Sequence, residues 1–96
     1  MNSYPLAKHF DNAAKDIKTH GKSMSNDDLQ AVYGLYKQAT VGDINIAEPS
    51  FYQLTEKAKW KAWNSQKGKS ADQAKQEYVE YCLKFFPEDV KAQYSA

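Results

Sequence analysis

The interpretation of this chain depends on the stretch Tyr33-Gly-Leu-Tyr-Lys-Gln-Ala-Thr-Val-Gly-Asp43, together with Lys57-Ala-Lys-Trp-Lys-Ala-Trp-Asn64 further along. Spacings of i, i+3 and i+4 place Tyr33, Tyr36 and Lys37 on one face of a predicted helix. Buried phenol hydroxyls need hydrogen-bonding partners, and a lysine ammonium is rarely buried without a counter-charge. Aromatic faces beside an ammonium suit a ligand that is flat at one end and phosphorylated at the other. The spacing alone leaves two interpretations open, a core stripe and an anion-binding aromatic site.

The second run carries lysines at alternate positions, which point in different directions on a helix. Lys57 and Lys61 share a face, which is typical of a solvated surface. Lys59 lies four residues before Trp63, beside the aromatic side of the same predicted helix, and is the better ligand candidate. Trp60 and Trp63 are both predicted to lie in the core.

Hydrophobic spacing predicts four helices and a C-terminal tail, at about residues 5–20, 26–41, 56–67, 70–86 and 87–96. The predicted helix ends coincide with first-turn proline, capping residues, or glycine and proline stops: Pro5, Gly21, Ser25 with Asp28, Gly42, Ser70 with Gln73, and Pro87. An apolar-rich loop over 44–54 separates the second helix from the third. The predicted fold class is therefore all-α, a four-helix bundle forming a single domain over residues 1–96.

The totals exclude several classes of protein. The 96 residues include 13 basic and 12 acidic side chains, a net charge of +1, which argues against a nucleic-acid partner. Every basic residue is lysine, so a bound phosphate must be met by point charges and not by guanidinium forks. No segment approaches the roughly 20 apolar residues of a membrane helix, and no apolar leader is visible, so we expect a cytoplasmic protein.

Catalytic and metal-binding residues are not predicted. His9 and His20 would lie roughly 16 Å apart along one helix, too far for a shared metal, and we expect both to be exposed. The single cysteine, Cys82, is expected to be a buried, inert thiol. Because neither a Ser-His-acid arrangement nor a phosphate-cradling glycine loop is present, we expect no enzyme activity and no cofactor.

The pattern Tyr-x-x-Tyr-Lys-Gln-Ala-Thr-x-Gly-Asp, followed by Lys-x-Lys-Trp-x-Ala-Trp, resembles the acyl-CoA-binding protein family. The resemblance extends from about Phe10 to Phe85, and Lys67-Gly-Lys-Ser70 adds a further match. It implies an up-down-down-up four-helix bundle whose long crossover is the 44–54 loop. It also implies a non-enzymatic carrier of long-chain fatty acyl-CoA thioesters, which forms an intracellular acyl-CoA pool and transports it.

The same resemblance assigns roles in ligand binding by matching position. Tyr36 is expected to stack on the adenine, with Tyr78 bordering the adenine and ribose. Lys37, Lys59 and the Tyr33 hydroxyl are expected to hold the ribose 3′-phosphate.

Further matches and departures concern the rest of the ligand. Lys18 is expected near the phosphates, and Leu29 is expected to contact the acyl chain at the start of the second helix. The loop reads Ile46-Ala-Glu-Pro-Ser50 where family members often have Glu-Arg-Pro-Gly. Gln30 stands at a position that is often apolar in the family, which bears on acyl-chain preference.

The expected partners are long-chain acyl-CoA and, transiently, acyl-CoA-using enzymes or membranes. We expect a monomer that does not bind nucleic acid. The alternative is a helical protein-interaction module without a ligand, which an exposed apolar face would favour.

Overall fold

The computed structural model describes residues 5–94; positions 1–4 and 95–96 of the predicted domain lie outside that range. The helical elements, in chain order, are α1 (Leu6–His20), α2 (Asn26–Thr40), α3 (Leu54–Asn64), α4 (Ala71–Leu83), α5 (Glu88–Lys91) and a 3-10 turn at Ala92–Tyr94. No strand occurs between residues 5 and 94. The all-α prediction is therefore confirmed.

Helices α2 and α3 run parallel. Near the end of α3, the indole Nε1 of Trp63 donates to the carbonyl oxygen of Gly42, just past the end of α2, at 2.7 Å. At the opposite end, Leu54 of α3 and Asn26 of α2 line one cavity. Because like ends of the two helices meet, the chain must return along the bundle between them, and residues 41–53 form that crossover.

Helix α4 runs antiparallel to α2. The Tyr81 hydroxyl, near the end of α4, donates to Oδ1 of Asp28 in the first turn of α2 at 2.7 Å. Near the other end of α2, Gln38 Nε2 donates to the carbonyl oxygen of Lys69, just before α4, at 2.7 Å.

Helix α1 is parallel to α4. The Phe10 ring lies 5.0 Å from Tyr78, and His20 lies 5.9 Å from Phe86, so both helices advance in the same direction. These directions give the up-down-down-up arrangement, as expected.

Helices α2 and α3 approach each other most closely at Gly34. A Cβ atom added there would lie 2.6 Å from the carbonyl carbon of Ala62, well inside van der Waals contact. The contacted atoms belong to the backbone and have no side-chain rotamer through which to yield. Only glycine fits this crossing without moving one helix.

A hydrogen-bonded cluster joins the end of α2 to the link between α3 and α4. Asp43 Oδ1 accepts from the Gln38 Nε2 at 2.8 Å and from the Gly68 amide at 2.8 Å. Gln38 is 1% exposed, and its Nε2 donates inside the protein while its buried Oε1 has no partner among residues 5–94. The negative charge of Asp43 is thereby held by donors from two segments.

The segment after Pro87 is not an open tail. The Tyr94 hydroxyl donates to Asp16 Oδ2 on α1 at 2.6 Å, and the Tyr94 ring lies 5.3 Å from His9. Val90 and Tyr94 are buried. The expectation that His9 is exposed is therefore wrong, because the C-terminal segment covers the face of α1 that carries it.

Several predicted helix bounds are wrong by a few residues. The third helix, predicted at 56–67, spans Leu54–Asn64, and Gln53 occupies its N-cap position. The fourth, predicted at 70–86, ends at Leu83, and turns lead from there to Pro87.

Of the two tryptophans predicted in the core, only Trp63 is fully buried. Trp60 is half-buried, and its Nε1 donates to the Ile46 carbonyl oxygen of the crossover at 2.8 Å. This bond fastens the middle of the crossover to α3.

We predict that Gly34→Ala lowers the free energy of unfolding by about 1–3 kcal/mol, because the added methyl group overpacks the α2–α3 crossing. In an unobstructed helix the same change stabilises by about 0.5–1 kcal/mol. Urea unfolding of Gln76→Gly and Gln76→Ala, at an exposed position inside α4, supplies that ordinary difference. A stabilised Gly34→Ala variant would contradict the close approach.

We predict a loss of stability in acid. Donated hydrogen bonds lower the pKa values of three carboxyls, chiefly from the Gly68 amide for Asp43, the Tyr81 hydroxyl for Asp28 and the Lys69 ammonium for Glu77. A lowered folded-state pKa gives stability that is present above the unfolded value, about 4, and is lost as the pH falls through the folded value.

The measurement is the urea midpoint between pH 6 and pH 2, compared among the wild type, Asp43→Asn and the exposed control Asp11→Asn. In Asp43→Asn the urea midpoint should fall less steeply as the pH is lowered. In Asp11→Asn it should fall as steeply as in the wild type. An acid limb as steep in Asp43→Asn as in the wild type would refute this assignment.

Candidate ligand-binding site

Two cavities lie on either side of a ridge formed by Leu29 and Tyr33 of α2. The first, of about 560 Å³ between α2 and α3, is lined by Asn26, Leu29, Gln30, Tyr33, Leu54, Thr55, Ala58 and Lys59. The second, of about 440 Å³ between α1, α2 and α4, is lined by Ala14, Ile17, Lys18, Leu29, Val32, Tyr33, Tyr36 and Tyr78. We refer to them as the α2–α3 cavity and the α1–α4 cavity.

The α1–α4 cavity has an aromatic wall. The Tyr36 ring stacks on Phe10 with centroids 5.6 Å apart and planes at 19°, and it lies 6.0 Å from the Tyr78 ring. Tyr36 is 40% exposed, so one side of its ring remains accessible. This wall offers a flat ligand a stacking surface.

Burial raises the pKa of Tyr78. Desolvation is the largest cause, followed by the neighbouring Cys82 and Tyr36. At neutral pH the hydroxyl is protonated, as it is in an ordinary tyrosine, and it can donate a hydrogen bond.

Two ammonium groups lie near the α1–α4 cavity. Lys18 belongs to its lining and is exposed. Lys75 Nζ lies 5.8 Å from the centroid of the Phe10 ring, the ring on which Tyr36 stacks. The lining of this cavity contains no carboxylate, so the local charge favours an anionic ligand.

The α2–α3 cavity has a cationic end. Lys59 Nζ lies 5.5 Å from the centroid of the half-buried Tyr33 ring. Because α2 and α3 are parallel, the cavity runs from this pair toward Leu54 at the start of α3. Leu29 and Ala58 form the apolar wall between the two ends.

Lys37 lies apart from both cavities. Its Nζ is 4.8 Å above the centroid of the Trp63 ring, a cation–π contact with the same tryptophan that fastens the helix ends together. Lys37 and Tyr33 nevertheless share a face of α2. The structure thus brings Lys59 to Tyr33 and places Lys37 on Trp63.

The two lysines predicted to be solvated differ. Lys61 is exposed, as expected. Lys57 is half-buried and pairs with Glu48 of the crossover at 3.1 Å, so its predicted role as a free surface charge is wrong.

Several lining residues were not predicted to belong to the site. Ala14 and Ile17 form part of the apolar stripe of α1, which sequence spacing assigns to the core. Leu54 falls in the predicted loop, and Ala58 lies in the predicted third helix without an assigned role. No local signal distinguishes a stripe that faces a neighbour from one that faces a cavity.

Groups suited to catalysis or to metal binding do not add to the site. Cys82 is buried, and desolvation raises the pKa of its thiol to about 12, so the thiolate is not formed at neutral pH. Within residues 5–94, no group of three or more His, Cys, Asp or Glu side chains could hold a metal ion. None of the helices in that range is long and apolar enough to cross a membrane.

A helical protein with an aromatic, lysine-lined cavity beside a second cavity that has an apolar wall is suited to an amphipathic anion. The family model described as Acyl CoA binding protein matches residues 7–82. The chain belongs to the acyl-CoA-binding protein family, which confirms the resemblance found in the sequence.

Individual relatives agree with the family model. The Acyl-CoA-binding protein homolog of Drosophila melanogaster is 45% identical over 76 residues, covering 79% of this chain and 88% of that protein. The Acyl-CoA-binding protein of Dictyostelium discoideum is 51% identical over 70 residues, covering 73% of this chain and 83% of the relative. The crystal structure of Oryza sativa Acyl-CoA-Binding Protein 2 matches with a TM-score of 0.80 and 36% identity, over 83% of this chain and 87% of that one.

Proposed function

We propose that this chain binds long-chain fatty acyl-CoA thioesters, with the CoA head group on the α1–α4 side and the acyl chain in the α2–α3 cavity. The observation that carries the proposal is the pair of cavities that share Leu29 and Tyr33. One has an aromatic wall and a lysine, and the other has an apolar wall with a lysine at one end and uncharged polar side chains elsewhere in its lining. An acyl-CoA has the same division into a charged aromatic head and an apolar tail.

In the proposed complex, the adenine stacks on the accessible face of Tyr36. Tyr78 borders the adenine and ribose, and Lys18 lies near the phosphates. The stacked Phe10 and Tyr36 rings support this placement, because their packing holds the Tyr36 plane in one orientation. Stacking of this kind contributes about 0.5–1.5 kcal/mol per aromatic pair.

The ribose 3′-phosphate is proposed to bind Lys37, Lys59 and the Tyr33 hydroxyl. Lys59 already lies against Tyr33. Lys37 reaches the same region when its flexible side chain turns away from the Trp63 ring. This movement is favourable because a cation–π contact is weaker than a charge-assisted hydrogen bond to phosphate.

The acyl chain is proposed to lie along Leu29, Ala58 and Leu54. Each buried methylene contributes about 0.8 kcal/mol, so a long tail supplies most of the affinity before ordering costs. Such a protein acts as a carrier: it forms an acyl-CoA pool and transports the thioester, as a monomer in the cytoplasm, without catalysing a reaction.

We predict one-to-one binding of hexadecanoyl-CoA in isothermal titration calorimetry at micromolar protein, with much weaker binding of free CoA and of free hexadecanoate. Lys37→Ala and Lys59→Ala should each weaken binding by about 1.5–3 kcal/mol, roughly 10- to 100-fold in Kd. Lys61→Ala, on the exposed face of α3, is the matched control and should bind normally.

Two results would contradict these assignments. The absence of saturable heat would refute ligand binding and favour the protein-interaction module. Equal affinity for hexadecanoyl-CoA and its 3′-dephospho analogue would remove the phosphate roles of Lys37 and Lys59.

Transient contact with membranes is the finer part of the proposal, alongside contact with acyl-CoA-using enzymes. Phe51 (79%) and Tyr52 (73%) are exposed at the end of the crossover, as is Leu54 (75%) at the start of α3, and Leu54 also lines the α2–α3 cavity. Aromatic residues of this kind suit the interfacial region of a bilayer. The nearby Glu48–Lys57 pair is neutral overall, which fits a zwitterionic lipid surface and not a strongly anionic one.

We predict that the protein co-sediments weakly with phosphatidylcholine vesicles and that the double variant Phe51→Ser/Tyr52→Ser loses this association. The loss has a hydrophobic origin, so raising the salt concentration should change the wild-type binding little. Val41→Ser, which alters an exposed apolar residue outside this surface, is the control. Equal vesicle binding by the double variant and the wild type would rule out the crossover as the membrane contact.

A further inference from the structure

We propose that the α2–α3 cavity prefers acyl chains that carry a hydroxyl or keto oxygen over plain alkyl chains, and that Gln30 is the residue that selects them. The inference rests on the proposed function, since it assumes that this cavity receives the acyl chain. It goes beyond that function by naming the chemical class of the tail.

The composition of the cavity changes along its length. Tyr33 and Lys59 form its cationic end, and Leu29 with Ala58 forms an apolar middle. Three uncharged polar side chains also line it: Asn26 and Thr55 at the starts of α2 and α3, and Gln30, three residues before Tyr33. Along α2, Asn26 lies about 10 Å from Tyr33 and Gln30 about 4.5 Å, so Gln30 lies beside the middle of the cavity.

Gln30 differs from the other two polar residues in its burial. Asn26 and Thr55 are exposed at the rim of the cavity, whereas Gln30 is half-buried in the wall. Between residues 5 and 94, none of the three side chains is engaged in a side-chain hydrogen bond or an ion pair. Their donors and acceptors are therefore free to bind a ligand once water leaves.

The half-buried position makes Gln30 discriminating. An alkyl chain that fills the cavity displaces water from the amide and returns no hydrogen bond, which costs free energy. A chain with an oxygen substituent at that depth accepts from, or donates to, the same amide. A site built to hydrogen-bond a polar group rejects the analogue that lacks it more strongly than an apolar pocket rejects an added hydroxyl.

The test compares hexadecanoyl-CoA with hexadecanoyl-CoA derivatives that carry one hydroxyl at successive positions of the chain, by calorimetry on the full-length protein. In the wild type, at least one hydroxylated chain should bind about fivefold or more tightly than the plain chain, for one net hydrogen bond. Gln30→Leu should reverse this order, chiefly by tightening the plain chain. Gln76→Leu, an exposed glutamine on α4, should keep the wild-type order.

The outcomes separate the inference from the proposed function. If the plain chain binds the wild type at least as tightly as every hydroxylated chain, or if Gln30→Leu leaves the order unchanged, the selectivity is refuted while acyl-CoA binding stands. If neither plain nor hydroxylated acyl-CoA binds the wild type, the proposed function fails as well. Thermal unfolding of Gln30→Leu confirms that a changed affinity does not reflect a misfolded variant.

Discussion

The parallel packing of α2 against α3 is the constraint on which the rest of the structure depends. It brings the starts of both helices to one end, where Asn26 and Leu54 open a cavity, and their ends to the other, where Trp63 bonds to Gly42. Parallel neighbours require a long return of the chain, which explains the crossover. The two helices also approach closely at Gly34, where the absence of a side chain leaves room for the backbone of Ala62. The cavity and the crossover are two consequences of the parallel arrangement, and the glycine permits its close contact.

The absence of arginine shapes the candidate site. Lysine binds phosphate as a point charge on a flexible side chain. In the ligand-free protein each of these ammonium groups has a different partner. Aromatic rings supply it: Lys59 rests against Tyr33 and Lys37 against Trp63. Such contacts are weak enough to exchange for a phosphate oxygen, since charge-assisted hydrogen bonds are stronger. The rings of Tyr33 and Trp63 therefore contribute to packing and also hold the two lysine ammonium groups in the absence of ligand.

Features with local causes could be predicted from the sequence, and features made by distant segments could not. The capping box of Ser25 with Asp28 is encoded by four consecutive residues, and the structure contains it. Gly42, with φ of 102°, ends α2 as its position in the pattern indicates. By contrast, the burial of His9 depends on Tyr94, almost the whole chain away. The family pattern supplied the helix directions, which periodicity alone does not encode.

The same distinction applies to the polar groups of the α2–α3 cavity. The family pattern points to Gln30 as a residue that bears on acyl-chain preference, whereas Thr55, far away in the chain, is an ordinary surface residue by type. Parallel packing brings both residues to one cavity, whose far end lies next to the exposed aromatics at the end of the crossover. A tail that enters this cavity therefore passes Leu29 and Gln30 on its way to the starts of both helices. This protein can differ from its relatives in the acyl chains that it prefers, more than in the way it binds the head group.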